Sequence, residues 1–186
     1  MTNGTAITPQ IWKPTLEIAV QDSVGARLAM ALGADRLELC TGLSTGGLTP
    51  SAGLVRQVVD VAGPGRVHVL VRPREGGFVY NAAEADLMVQ DVKMLAETAG
   101  VAGVVVGALL PGGALDHPVL ERMVEAAGNL EVTFHQCGNV LDSDSPTSLN
   151  LQTITCRRSQ SRDGFNTVNA TDSTSRGQYA GQAMAK

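Results

Sequence analysis

The chain has 186 residues, of which 44% are hydrophobic and 17% charged, enough apolar content for one domain with a sizeable core. A net charge of −4 argues against a basic nucleic-acid groove, because phosphate binding needs clustered Lys and Arg. Three Cys without CxxC spacing argue against a disulfide framework or a zinc site, and no apolar run approaches the roughly 20 residues of a membrane span.

Residues 1–14 carry no apolar signal-peptide core and form an N-terminal extension. With so few cysteines, a reducing, cytoplasmic setting is expected. Leu16–Val20 predicts a strand. Asp22 or Ser23 caps a helix that Gly33 stops. Asp35–Cys40 predicts a second strand, followed by the loop TGLSTGG. Thr49 before Pro50 reads as an N-cap, and the helix it opens runs to about Gly63. Val67–Arg72 predicts a third strand. Asn81 and Glu84 have capping-box spacing for a helix over Ala82–Ala99. Gly103–Gly107 predicts a fourth strand, Pro118 opens a helix ending at Gly128, and Leu130–His135 predicts a fifth strand. The stripe Leu87, Met94 and Leu95 reads as core.

Strands recur about every 30 residues, the size of one βα unit. Alternation of strand and helix implies parallel pairing with right-handed crossovers. Two architectures compete, a doubly wound open sheet and a TIM-type (β/α)8 barrel. No GxGxxG follows the first strand, which removes the main nucleotide-binding version of the open sheet.

Strand alternation favours the barrel. One face carries Glu17, then Glu38 and Cys40, then His68 and Arg72, then Thr133 and His135. The other carries Leu16 and Ile18, Leu37 and Leu39, Val67, Val69 and Val71, then Val132 and Phe134. In a barrel the apolar face packs on helices and the polar face lines a shared lumen. Under helices on both sides, those charges would be buried at high cost. From Gly138 to Lys186 the pattern stops: the segment is rich in Ser, Thr, Asn, Gln and Gly and shows neither helical nor strand period.

The run LEIAV, GADRLELC, GGLTPS, VLVRPREGGFVY, GVVVGAL and EVTFH, in that order, resembles the copper homeostasis protein CutC family. The resemblance covers about Leu16 to His135 and departs afterwards, where QCGNVLD and the polar tail stand in place of further βα units. It implies a TIM-type barrel, here incomplete, with about five βα units over residues 15–137; the composition of 138–186 predicts an irregular, disordered polar tail. It also implies a cytoplasmic role in copper handling, with Cu(I) as the bound ion.

Glu17 and Glu38 are candidate acid–base or cation-binding carboxylates, and ion pairing with Arg72 explains them equally well. Arg72 and Arg74, near a strand end, suit a small anionic ligand such as phosphate or carboxylate. His135 could act as a base or a metal ligand. Cys40 is the best placed soft ligand for Cu(I), although its size and position also suit plain burial. His68, near a strand start, reads as structural. Three functions stay open: a copper-homeostasis protein binding a metal ion or small anion, a barrel enzyme acting on a phosphorylated or carboxylated metabolite through Glu17, Glu38 and His135, and an inactive truncated product. No nucleic-acid or membrane partner is expected. Five parallel strands leave two open edges, so low stability or self-association as a homo-oligomer is expected.

Overall fold

The computed structural model describes residues 15–134, 154–160 and 166–171. Four βα units come first: β1 (Glu17–Val20), α1 (Ser23–Ala31), β2 (Arg36–Leu39), α2 (Ala52–Ala62), β3 (Val67–Leu70), α3 (Ala82–Ala96), β4 (Val101–Val106) and α4 (His117–Ala127). They are followed by β5 (Glu131–Phe134), β6 (Ile154–Gln160) and β7 (Asn166–Thr171). The strands lie in one sheet in chain order, with β1 to β5 parallel. Sequential order with right-handed crossovers places successive helices on one side of the sheet, as in a barrel wall. A doubly wound sheet would instead reverse its order partway.

The helices form where local chemistry supports them. Asp22 caps α1 by accepting from the Gly25 N–H at 2.7 Å. Asn81 and Glu84 complete both halves of the capping box on α3. Asp116 caps α4, with Pro118 in its first turn. For α2 the cap is Ser51, not Thr49 as the sequence suggests. Thr49 is engaged elsewhere: its hydroxyl accepts from the Arg72 N–H at 2.8 Å and donates to the Arg72 carbonyl at 3.1 Å.

The main core lies between sheet and helices. Leu37, Leu39, Val67, Val69, Val104 and Val106 meet Val55, Val58, Met88, Val92 and Met123, all fully buried. Leu37, Leu39, Val67 and Val69 are among the strand residues assigned to the apolar face; Val104 and Val106 of β4 join them. Within the stripe on α3, Leu95 is buried and Met94 packs against the core, whereas Leu87 is 50% exposed. Leu87 stands on the solvent side of its helix.

The segment read as irregular contains two strands. β6 pairs antiparallel with β5 and β7 antiparallel with β6. Apolar alternation did not mark them, because neither ITCRRSQ nor NTVNAT has it. Their pairing satisfies backbone groups along the edge that β5 would otherwise expose. Among the described residues β1 pairs only with β2 and β7 only with β6, so the sheet is open. Among the described residues the sheet ends at β7, not at β5 as the sequence suggests.

Candidate functional site

Residues on the lumen side of the sheet fall into three levels along the strands. At the lowest level stand Glu17, Arg36, Glu38, His68 and Glu131. Glu17 forms an ion pair with Arg36, its direct neighbour across β1 and β2. Arg36 Nη1 also lies 3.8 Å from Glu131 Oε2, and His68 Nε2 lies 3.6 Å from the same oxygen. Glu38 is opposite His68 in the register of β2 and β3. Its carboxyl is pushed up to about 7, first by burial and next by the negative charge of Glu17, against a smaller opposing pull from Arg36. Gly103 makes this level possible. A Cβ there would come within 2.6 Å of the His68 ring and of the Glu131 carbonyl. The absent side chain on β4 is the space that the buried imidazole occupies.

Above this level, Cys40, Leu70 and Val105 form a small buried cluster of their own. The Cys40 thiol points to the Val20 carbonyl at 3.7 Å. Gly47 closes over it at φ +85°, with so little space that a Cβ would lie 2.7 Å from Leu70 Cδ2 and 3.5 Å from Cys40 Sγ. Burial, and then the charge of Glu38, push the thiol up to about 11.

At the mouth, Arg72 is 6% exposed and its guanidinium is committed to the loops. Nη1 donates to the carbonyls of Thr45 and Gly47 at 3.0 and 2.9 Å, and Nη2 to that of Gly76 at 2.7 Å. The group also lies over the Phe78 ring, 5.1 Å from its centroid. Arg74 makes an ion pair with Glu84, donates to the carbonyls of Glu75, Gly77 and Val79, and lies over Tyr80. Its hydrogen bond holds the Glu84 carboxyl below the usual carboxylate range.

The structure therefore brings Glu17, Glu38 and His68 together and leaves Arg72 and Arg74 apart from them. Glu17 takes Arg36 as its partner, so Arg72 is not its clamp. Arg72 is a clamp on two loops. Arg36 and Glu131 were missed by the sequence reading, although both share the parity of Glu38 and Thr133; they stand at strand starts, which the search for mouth residues passed over. His135 and Cys137 lie outside the described residues. Among the described residues, no three His, Cys, Asp or Glu side chains are grouped to hold a metal ion, and no helix is long and apolar enough to cross a membrane.

Comparison with known proteins places this architecture. A family model, the CutC family, matches residues 14–169. The match runs beyond His135, where the motifs alone indicated a departure. The CutC family protein of Xanthomonas campestris pv. campestris (strain 8004) is 44% identical over 147 residues, covering 77% of this chain and 59% of that protein. The CutC family protein of Bacteroides thetaiotaomicron is 35% identical over 146 residues, covering 78% of this chain and 58% of that protein. The chain thus spans less than two thirds of these relatives' lengths. A crystal structure of CutC from Streptococcus agalactiae, named for copper homeostasis, superposes with a TM-score of 0.63 at 27% identity, over 70% of this chain and 62% of that one. The five parallel strands and their helices are thus part of a TIM-type barrel, and the chain belongs to the CutC family.

Proposed function

We propose that the chain acts in cytoplasmic copper handling, with Cu(I) as its cargo, and that Cys40 is not the ligand. Membership of the CutC family, whose solved member from Streptococcus agalactiae is named for copper homeostasis, supports the link to copper. The surroundings of Cys40 carry the rest. A thiol must lose its proton to bind Cu(I), and this one is held at about 11 beneath the Gly47 loop. Among the described residues it belongs to no group of three or more His, Cys, Asp or Glu side chains that could hold a metal ion. His135 and Cys137, an imidazole and a thiol two residues apart in the sequence, are by ligand chemistry the better donors for Cu(I). Titration of the full chain with Cu(I) against a chelating dye tests this. Cys40→Ser is expected to leave the affinity within about twofold, and His135→Ala to lower it at least about tenfold, or about 1.4 kcal/mol. Loss of binding in Cys40→Ser, or no Cu(I) uptake by the unaltered chain, would overturn the proposal.

A second reading, an enzyme acting on a small carboxylated or phosphorylated metabolite, is favoured by Glu38. A carboxyl titrating at about 7 beside a second carboxylate and an arginine suits proton transfer near neutrality. Arg72 offers little to an anion, since both its terminal nitrogens already serve loop carbonyls. A thermal-shift screen of sugar phosphates and small carboxylates, on the full chain and on Glu38→Gln, separates the readings. A shift that Glu38→Gln abolishes supports the enzyme.

A further inference from the structure

We propose that His68 and Glu131 form a proton-dependent latch that ties β3 to β5 across the floor of the lumen, closed while the imidazole is charged and slack once it is neutral. The two residues are not on neighbouring strands, since β4 lies between them. His68 bridges the gap because its register partner on β4 is Gly103. A Cβ there would stand 2.6 Å from the ring's Cε1 and Nδ1, so the imidazole fills the place of the missing side chain. From that slot its Nε2 comes within 3.6 Å of Glu131 Oε2.

Charge decides how firmly this contact holds. A neutral imidazole is weakly attracted to a carboxylate at 3.6 Å, whereas an imidazolium carries a proton on both nitrogens and makes an ion pair. The ring is 2% exposed, so burial works against its charged form while the facing carboxylate works for it. That opposition is what lets pH open and close the contact. The other groups on this level are Glu38, opposite His68 on β2, Arg36, 3.8 Å from the same Glu131 oxygen, and Glu17 on β1, paired with Arg36. β4 presents no charged side chain, Arg66 before β3 is exposed, and Cys40 above has its thiol pushed up to about 11 by burial and then by Glu38. On β6, Arg157 follows Cys156, which sets it at the register position opposite Glu131. Glu131 opens β5, and β5 in turn carries β6 and β7. The latch therefore adds to the hold on β5 at low pH and gives it up as pH rises.

Two measurements on the full chain test the proposal. Nitrogen-15 NMR reads the charge of the ring, with His68→Gln identifying it among the three histidines. The ring is expected to be charged at about pH 6 and neutral at about pH 8.5, and to give up its proton at lower pH in Glu131→Gln. Hydrogen exchange, corrected for its intrinsic pH dependence, reads the strand. Between those pH values the protection of the Val132 to Phe134 amides is expected to fall at least about tenfold further than that of the β1 and β2 amides. His68→Gln and Glu131→Gln are each expected to remove this difference, and Glu131→Gln decides should His68→Gln fail to fold. Glu38→Gln is expected to keep it, which separates the latch from the general titration of the floor. A ring already neutral at about pH 6, a β5 whose protection follows β1 and β2, or a difference that survives Glu131→Gln overturns the proposal.

Discussion

Glu38 is the residue whose surroundings most alter its chemistry. Its carboxyl sits at about 7 in the folded chain, against an ordinary value of 4.5. The folded state therefore holds this proton more tightly than the unfolded state. The resulting stability is fully present below the unfolded value, and it is lost as pH rises through about 7. Glu38→Gln keeps the shape without the titration. Its stability relative to the unaltered chain is expected to rise between pH 5 and pH 8 by roughly 2–3 kcal/mol, the size that a shift of this extent carries. Urea melts of both proteins at the two pH values check it, and parallel curves would contradict it. Gly103 supports the same level by leaving room. Gly103→Ala is expected to cost about 2 kcal/mol, since the neighbouring contact includes a backbone carbonyl that cannot step aside as a flexible side chain would. A thermal melt within a degree of the unaltered chain would show that the imidazole moves freely.

Among the elements, the loops at the mouth depend most on one side chain. The β2–α2 and β3–α3 loops are tied to each other through Arg72, and the Thr49 hydroxyl adds two bonds to the same residue's backbone. Arg72→Lys keeps the charge and loses the planar fork. It is expected to cost about 2 kcal/mol and to open both loops to protease before the helices are cut. Cutting that begins elsewhere would remove the clamp from the account. Ser51→Ala is expected to cost α2 about 1 kcal/mol and Thr49→Ala to act through the Arg72 loop instead, which separates cap from tether in thermal melts. The helices and the parallel strands were legible in the chain because caps and apolar periodicity are local signals. Thr49 was misread because Thr-Pro is a good start signal only while the hydroxyl is idle, and its partner lies 23 residues away. β6 and β7 gave no signal, because backbone pairing with an existing edge needs no side-chain pattern. The polar lumen face was legible by parity, but which charges pair across it depends on the register, and that set Arg36, not Arg72, beside Glu17.

For the molecule as a whole, the three levels of the lumen face matter more than any one group. Acidic and basic side chains form the floor, Cys40, Leu70 and Val105 the middle, and Arg72 with its loops the mouth. The middle layer acts as a dielectric partition. Charge at the floor polarises its immediate neighbours, as the Cys40 thiol registers, and Leu70 and Val105 set apolar side chains above it. Floor and mouth should then behave as two independent electrostatic compartments. Combining Glu38→Gln with Arg72→Lys is expected to give additive losses within about 0.5 kcal/mol, whereas Glu17→Gln with Arg36→Gln should be strongly non-additive. A copy of the chain could accordingly retune its acid–base floor and its loop-bearing mouth by separate mutations, each without cost to the other.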